Sequence, residues 1–216
     1  MKAMHIDDVL DRAHVVSLPL AVRFRGITTR EALLIDGPAG WGEFAPFLEY
    51  GPAESAAWLR AGLEAAYEGF PEPVRDSIEV NATIPAVSAS EVPAVVERYP
   101  GCRTFKIKVA EKGHTLADDA ARVRAVRDTI TQRGEIPILR VDANGGWTVE
   151  EAVQAAQMMM PLDYMEQPCA TTEELAQVRG RLMRAGLFVR VAADESIRKV
   201  ADPYRVAELQ AADVAV

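Results

Sequence analysis

From Ser77 to the last residue, short apolar runs alternate with segments of helical period, and this alternation limits the possible folds more than anything else in the chain. Strand-like runs fall at residues 78–84, 105–109, 138–142, 162–166, 189–194 and 213–216. Helical segments separate them. One covers 91–99, with Ser88 and Glu91 spaced as a capping box, and a second covers 116–131. A third runs from the Thr148/Glu151 box to about residue 160, a fourth follows Thr171/Glu174, and Asp202-Pro203 opens a short fifth. Alternating strand and helix implies a parallel sheet, either doubly wound or closed into a barrel. No glycine fingerprint of a dinucleotide fold and no phosphate loop follows any strand. Polar residues end several different strands, which favours a barrel, because barrel active sites are built at the C-terminal strand ends. About five and a half units are present where an eight-stranded barrel needs eight, so the expectation is an incomplete record of a longer protein.

The chemistry-bearing residues sit at those strand ends. In Thr104-Phe105-Lys106-Ile107-Lys108-Val109, branched and aromatic residues alternate with Lys106 and Lys108. One face therefore carries two ammonium groups about 7 Å apart. Taken alone, this is an edge strand with lysines in water. Three later strands, however, end on acids: Asp142 in VDANGGW, Glu166 in MEQP and Asp194 in ADES. They are 24 and 28 residues apart (166 − 142 and 194 − 166), one strand–helix unit each, so a parallel barrel puts them at similar height on neighbouring strands. Any one of them could be a helix cap or a loop charge. Three converging carboxylates need neutralising, and a hard divalent cation such as Mg²⁺ does this with oxygen ligands while leaving positions for substrate oxygens.

The first 76 residues read as a separate α+β domain. Strands at 15–22, 32–35 and 41–44 make an antiparallel meander, with loops at 23–29 and 45–51, and a helix follows over 52–67. The second loop, rich in Pro, Phe and Tyr, is of the kind that covers a pocket. Arg23 and Arg25 on the first read as solvated surface. The net charge of −8, with no basic stripe, argues against nucleic acid as a partner. No apolar run reaches 18 residues and the N-terminus has no signal-peptide core, so neither a membrane nor export is expected and the chain reads as cytoplasmic. Cys102 and Cys169 read as reduced structural thiols, and His5, His14 and His114 as scattered surface or packing residues.

Lys106-x-Lys108 followed by strand-ending Asp142, Glu166 and Asp194 resembles the enolase superfamily, most closely its muconate-lactonizing branch. The meander with Trp41-Gly42-Glu43 and the helix after it resemble that superfamily's N-terminal capping domain. Within the branch, the text from Arg25 to Glu31, Gly42-Glu43-Phe44-Ala45-Pro46 and Asn81-Ala82-Thr83-Ile84-Pro85 is similar to its dehydrating synthases of actinobacterial type. The resemblance implies an α/β fold with a capping domain over 1–76 and the N-terminal part of a (β/α)7β-type barrel over 77–216. It implies Mg²⁺ held by Asp142, Glu166 and Asp194, Lys108 as the base, and Lys106 as a charged support for the enolate. Asn144 and Glu195 stand as candidates to orient these groups, with loop or cap roles equally open. The implied substrate is a small-molecule carboxylate. It would lose the proton next to its carboxylate and then a hydroxyl group, giving an aromatic acid used for menaquinone. Racemisation or epimerisation on the same scaffold, and a non-catalytic barrel fragment, remain open alternatives. The branch carries a further lysine that should fall a few residues past Val216. Oligomeric state is left open.

Overall fold

A computed structural model describes residues 5–24 and 27–216, and these divide into two units, Met1–Ser77 and Ile78–Val216. The first unit opens with a one-turn helix, α1 (Ile6–Leu10), which sequence reasoning missed. Strands β1 (Ala13–Phe24), β2 (Ile27–Gly37) and β3 (Gly40–Phe44) then pair antiparallel in that order. The loop expected over 23–29 gives way to strand, because β1 runs on to Phe24 and pairs with Ile27. The register shifts between Pro19 and Phe24, as expected where a proline lacks the N–H that the ladder needs. Arg25 and the side chain of Arg23, expected as solvated surface, lie outside the described residues.

Helix α2 (Pro52–Tyr67) packs on this sheet and takes the predicted bounds. Its approach depends on two glycines: a Cβ on Gly42 would lie 1.9 Å from the Gly62 carbonyl oxygen, and one on Gly62 would lie 2.5 Å from that of Glu43. The small core here gathers Val9, Ile35 and Ala66, with Leu33, Leu59 and Leu63 against them. Phe47, Tyr50 and Trp58 form a cluster of tilted and edge-on rings 5.5–5.7 Å apart, and the Arg30 guanidinium lies 5.2 Å from the centre of the Phe47 ring.

The second unit carries a parallel sheet of β4 (Ala82–Ile84), β5 (Thr104–Lys108), β6 (Ile138–Asp142), β7 (Tyr164–Glu166), β8 (Arg190–Ala193) and β9 (Val214–Ala215), ordered as in the chain. Sequential parallel order is what a barrel wall requires. The helices between are α3 (Val92–Val96), α4 (Leu116–Thr131), α5 (Val149–Met159), α6 (Thr172–Arg184) and α7 (Asp202–Glu208). Threonine capping boxes open α4, α5 and α6, with Thr115/Asp118, Thr148/Glu151 and Thr171/Glu174 each reciprocally bonded. At α3 the box is only half made. Glu91 accepts from the N–H and hydroxyl of Ser88, but the helix itself starts one residue later.

Several expected strands are shorter than predicted, the first and last of this sheet most of all. Residues 78–81 stay outside the sheet, with Ile78 and Val80 about three-quarters exposed. The segment at 213–216 pairs only over β9. The core runs unbroken through Ile84, Phe105, Ile107, Val141, Met165 and Val191 on the strands to Val123, Val126, Ala155, Leu175 and Val178 on the helices. Among the described residues, no helix is long and apolar enough to cross a membrane.

Candidate active site at the strand ends

Strand register brings the charged residues together. Lys108 pairs with Asp142 across β5 and β6, and Asp142 with Glu166 across β6 and β7, so three consecutive strands end on a charge at one level. Side chains at that level point to one face, because successive strand residues alternate. Lys106 Nζ lies 2.8 Å from Glu166 Oε1 and 3.2 Å from Asp142 Oδ2. Lys108 Nζ lies 2.6 Å from Asp142 Oδ2 and 2.7 Å from Asn144 Oδ1. The Asn144 amide in turn donates to Glu195 Oε1 at 3.1 Å, and its backbone N–H donates to Asp142 Oδ1 at 3.0 Å. Asn144 holds a left-handed backbone at φ 46°, which asparagine tolerates better than most residues. Arg198 closes the far side, 2.7 Å from Glu195 and 3.8 Å from Asp194.

Burial and charge pull these groups in opposite directions. Burial works to lower the Lys106 ammonium, but its bond to Glu166 and the charges of Asp142 and Glu166 outweigh that and hold it above the usual lysine value. Burial works to raise Asp142, yet the hydrogen bond and charge of Lys108, with Lys106 and the Asn144 N–H, hold it below the carboxylate range. Glu166 is raised, first by burial and then by the charges of Asp142 and Asp194, against the opposing bond from Lys106. Asp194 is raised by burial and by neighbouring Glu195, with Arg198 countering. The three carboxylates therefore lie within reach of one another's fields.

Asp142 and Glu166 share the Lys106 ammonium, while Asp194 stands at the rim with its side chain 31% exposed. Among the described residues, no three His, Cys, Asp or Glu side chains close into a ready metal-ligand group. Two features nonetheless fit a hard cation. The donors are all carboxylate oxygens, the set that Mg²⁺ prefers. And Glu166, fully buried, leaves Oε2 with no hydrogen-bond partner, a costly state for a carboxylate oxygen unless a further cation completes it.

Sequence reasoning missed Gln167. It is fully buried and left-handed (φ 36°), and its side-chain oxygen accepts from the N–H groups of Asp194 and Ser196, both at 3.1 Å. Its amide donates to Cys169 O at 3.0 Å and Ser196 Oγ at 2.8 Å. One side chain thus ties the end of β7 to the loop that carries Asp194. The Glu-Gln-Pro text was visible, but nothing in local periodicity says a glutamine will bond across strands.

A sequentially ordered parallel sheet with lysines and carboxylates at the C-terminal strand ends defines a protein of (β/α)-barrel type with a polar centre. Two family models of one group match the chain: residues 15–66 match the enolase N-terminal domain-like family and residues 87–216 the enolase C-terminal domain-like family. The chain belongs to the enolase superfamily. It is 58% identical to o-succinylbenzoate synthase of Mycolicibacterium smegmatis and 58% identical to that of Mycobacterium leprae, over 98% of its own residues. It spans 63% and 61% of the length of those relatives. Among solved structures, the L-Ala-D/L-Glu epimerase of Bacillus subtilis matches with TM-score 0.69 at 24% identity, over 94% of this chain and 72% of that one. The o-succinylbenzoate synthase of Thermosynechococcus elongatus, complexed with Mg in its active site, matches with TM-score 0.65 at 20% identity, over 91% and 72%. At such identities the two structures speak for the fold alone.

Proposed function

We propose that the protein carrying this chain dehydrates a hydroxy-cyclohexadiene carboxylate that already bears the succinyl group, giving o-succinylbenzoate, a menaquinone precursor, with Mg²⁺ as cofactor. The reading is carried by one observation. Lys106 and Lys108 face strand-end carboxylates in a chain 58% identical to relatives that bear that synthase's name. Asp142, Glu166 and Asp194 would hold the cation, which supplies positive charge for the substrate carboxylate as it becomes an ene-diolate. A cation there would answer the unpartnered Oε2 of Glu166.

Lys108 takes the proton next to the substrate carboxylate on Nζ. Lys106 stays charged and faces the developing enolate, where a preorganised ammonium acts without reorganising. The carbon–oxygen bond to the leaving hydroxyl then breaks. That group departs as water with the proton Lys108 had taken, and the ring becomes aromatic. Only one acid–base group is needed, whereas racemisation needs a base on each face. Asn144, itself held by Glu195, bonds Lys108 Nζ and would keep it aimed. The net charge of −8 suits a small metabolite rather than nucleic acid, and a cytoplasmic setting suits the two free thiols.

The test is turnover of the hydroxy acid by the full-length protein in Mg²⁺, followed by the absorbance of the aromatic product. Product formation that stops with a chelator and returns with Mg²⁺ is the expected result. Exchange of the α-proton of an N-succinyl amino acid, with no product from the hydroxy acid, would replace this reading with the racemase.

A further inference from the structure

The buried face of α4 carries an ion pair that its apolar periodicity does not require. Arg122 and Asp119 are each 1% exposed and meet at 2.7 Å. Burying two charges is expensive, and apolar residues of the same volume commonly serve stability as well or better. The pair's other hydrogen bonds all leave α4. Arg122 Nη1 donates to the carbonyl of Lys108 at 3.0 Å, Nε to that of Val87 at 2.5 Å, and Nη2 to His114 Nδ1 at 2.8 Å. His114 must accept there, since a guanidinium only donates. Asp119 Oδ2 accepts the N–H of Ala110 at 2.9 Å.

The two charges therefore grip the backbone on either side of Val109, whose own N–H bonds the Asp142 carbonyl at 3.0 Å. Ala110 holds a left-handed backbone at φ 58°, a conformation an alanine keeps only when its surroundings impose it. Gly146 leaves room for it, because a Cβ there would lie 2.9 Å from the Ala110 methyl. The main chain at the point where Lys108 leaves the sheet is thus fixed from three elements.

We infer that Arg122 and Asp119 are positioning residues for Lys108, their buried pair setting the height at which its long flexible side chain starts towards Asp142 and Asn144. The inference rests on Lys108 being the base, and it adds two residues on a helix that never reach the substrate. Losing the grip shifts the amine while leaving the substrate's other contacts in place. It should lower kcat with little change in KM, since misplacement of about 1 Å can cost about 100-fold in rate.

The experiment compares Asp119→Leu/Arg122→Met, which swaps the pair for apolar residues, with wild type and Lys108→Ala in the full-length protein with Mg²⁺. Expected are a melting temperature close to wild type, KM within about threefold, kcat lower by about 10- to 100-fold, and a larger isotope effect with α-deuterated substrate. Arg122→Lys, which cannot span the Lys108 and Val87 carbonyls together, should fall between. Wild-type kcat and isotope effect in a folded double variant, with Lys108→Ala inactive, would overturn the inference. Wild-type turnover by Lys108→Ala would instead remove the base assignment itself. Should the double variant fail to fold, Asp119→Asn with amide exchange decides the matter. Faster exchange at Ala110 together with lower kcat supports the grip, and no change in both overturns it.

Discussion

The two ends of the parallel sheet treat charge in opposite ways. At the N-terminal ends, Asp163 is paired on both oxygens. Arg140 Nε donates to Oδ2 at 2.9 Å and Arg190 bonds Oδ1. Arg140 also donates to Asn81 Oδ1 at 2.8 Å and lies 4.7 Å from the centre of the Tyr164 ring. Every polar atom of that carboxylate has its partner. At the C-terminal ends, Asp142 Oδ2 is shared by two ammonium groups, Glu166 Oε2 has none, and burial pushes Glu166 and Asp194 up. One end is satisfied and holds strands together. The other is left incomplete, as a site built for a ligand must be.

Substitution at either end, and added metal, should separate the two kinds of charge. The largest effect belongs to Lys108→Ala, expected to cost about 100- to 10,000-fold in kcat of the full-length protein with an unchanged melting temperature, whereas Arg140→Met should leave kcat near wild type. Next, Asp163→Ala leaves the part-buried Arg140 and the more exposed Arg190 without their acid and should cost about 1–3 kcal/mol of stability in urea unfolding. Turnover per folded molecule should not change. Third, Mg²⁺ at about a hundred times its Kd should add about 2.7 kcal/mol, read as a rise in melting temperature that Glu166→Gln reduces or removes and Asp163→Ala does not. The smallest concerns Cys169, fully buried, with its thiol pushed up to about 12 by burial and by nearby Glu174, Glu150 and Glu151. A folded-state thiol raised above its unfolded value adds stability that is present below about pH 9 and lost as pH rises towards 12. Between pH 9 and 10 wild type should lose up to about 1.4 kcal/mol more than Cys169→Ala, measured by urea midpoints at each pH.

Much of this was legible before any coordinates. The alternation that places β5 to β8, the threonine boxes of α5 and α6, and the spacing of Asp142, Glu166 and Asp194 are local or periodic signals. Periods survive folding because they are what the core selects. The misses share a different cause. Ile78 and Val80 look like strand residues, but no neighbouring strand pairs with them. Asp119 and Arg122 lie beside the apolar stripe of α4 and carry no signal of burial in the sequence, yet both are buried. Gln167 carries no periodic signal, yet four bonds hold it. Each of these depends on a partner far along the chain, which a one-dimensional pattern does not record. Lys106 between Asp142 and Glu166 belongs to the same group. Alternation put it on the right face, but only the strand register shows which acids it meets.

Whether the C-terminal carboxylates form one cation site faced by the two lysines is decided by anomalous diffraction from a crystal soaked in Mn²⁺, a stand-in for Mg²⁺. A single strong peak bonded to Asp142, Glu166 and Asp194, with Lys106 Nζ withdrawn from Glu166 Oε1, is expected. A peak elsewhere, or none while Lys106 stays between its two acids, would contradict a shared site.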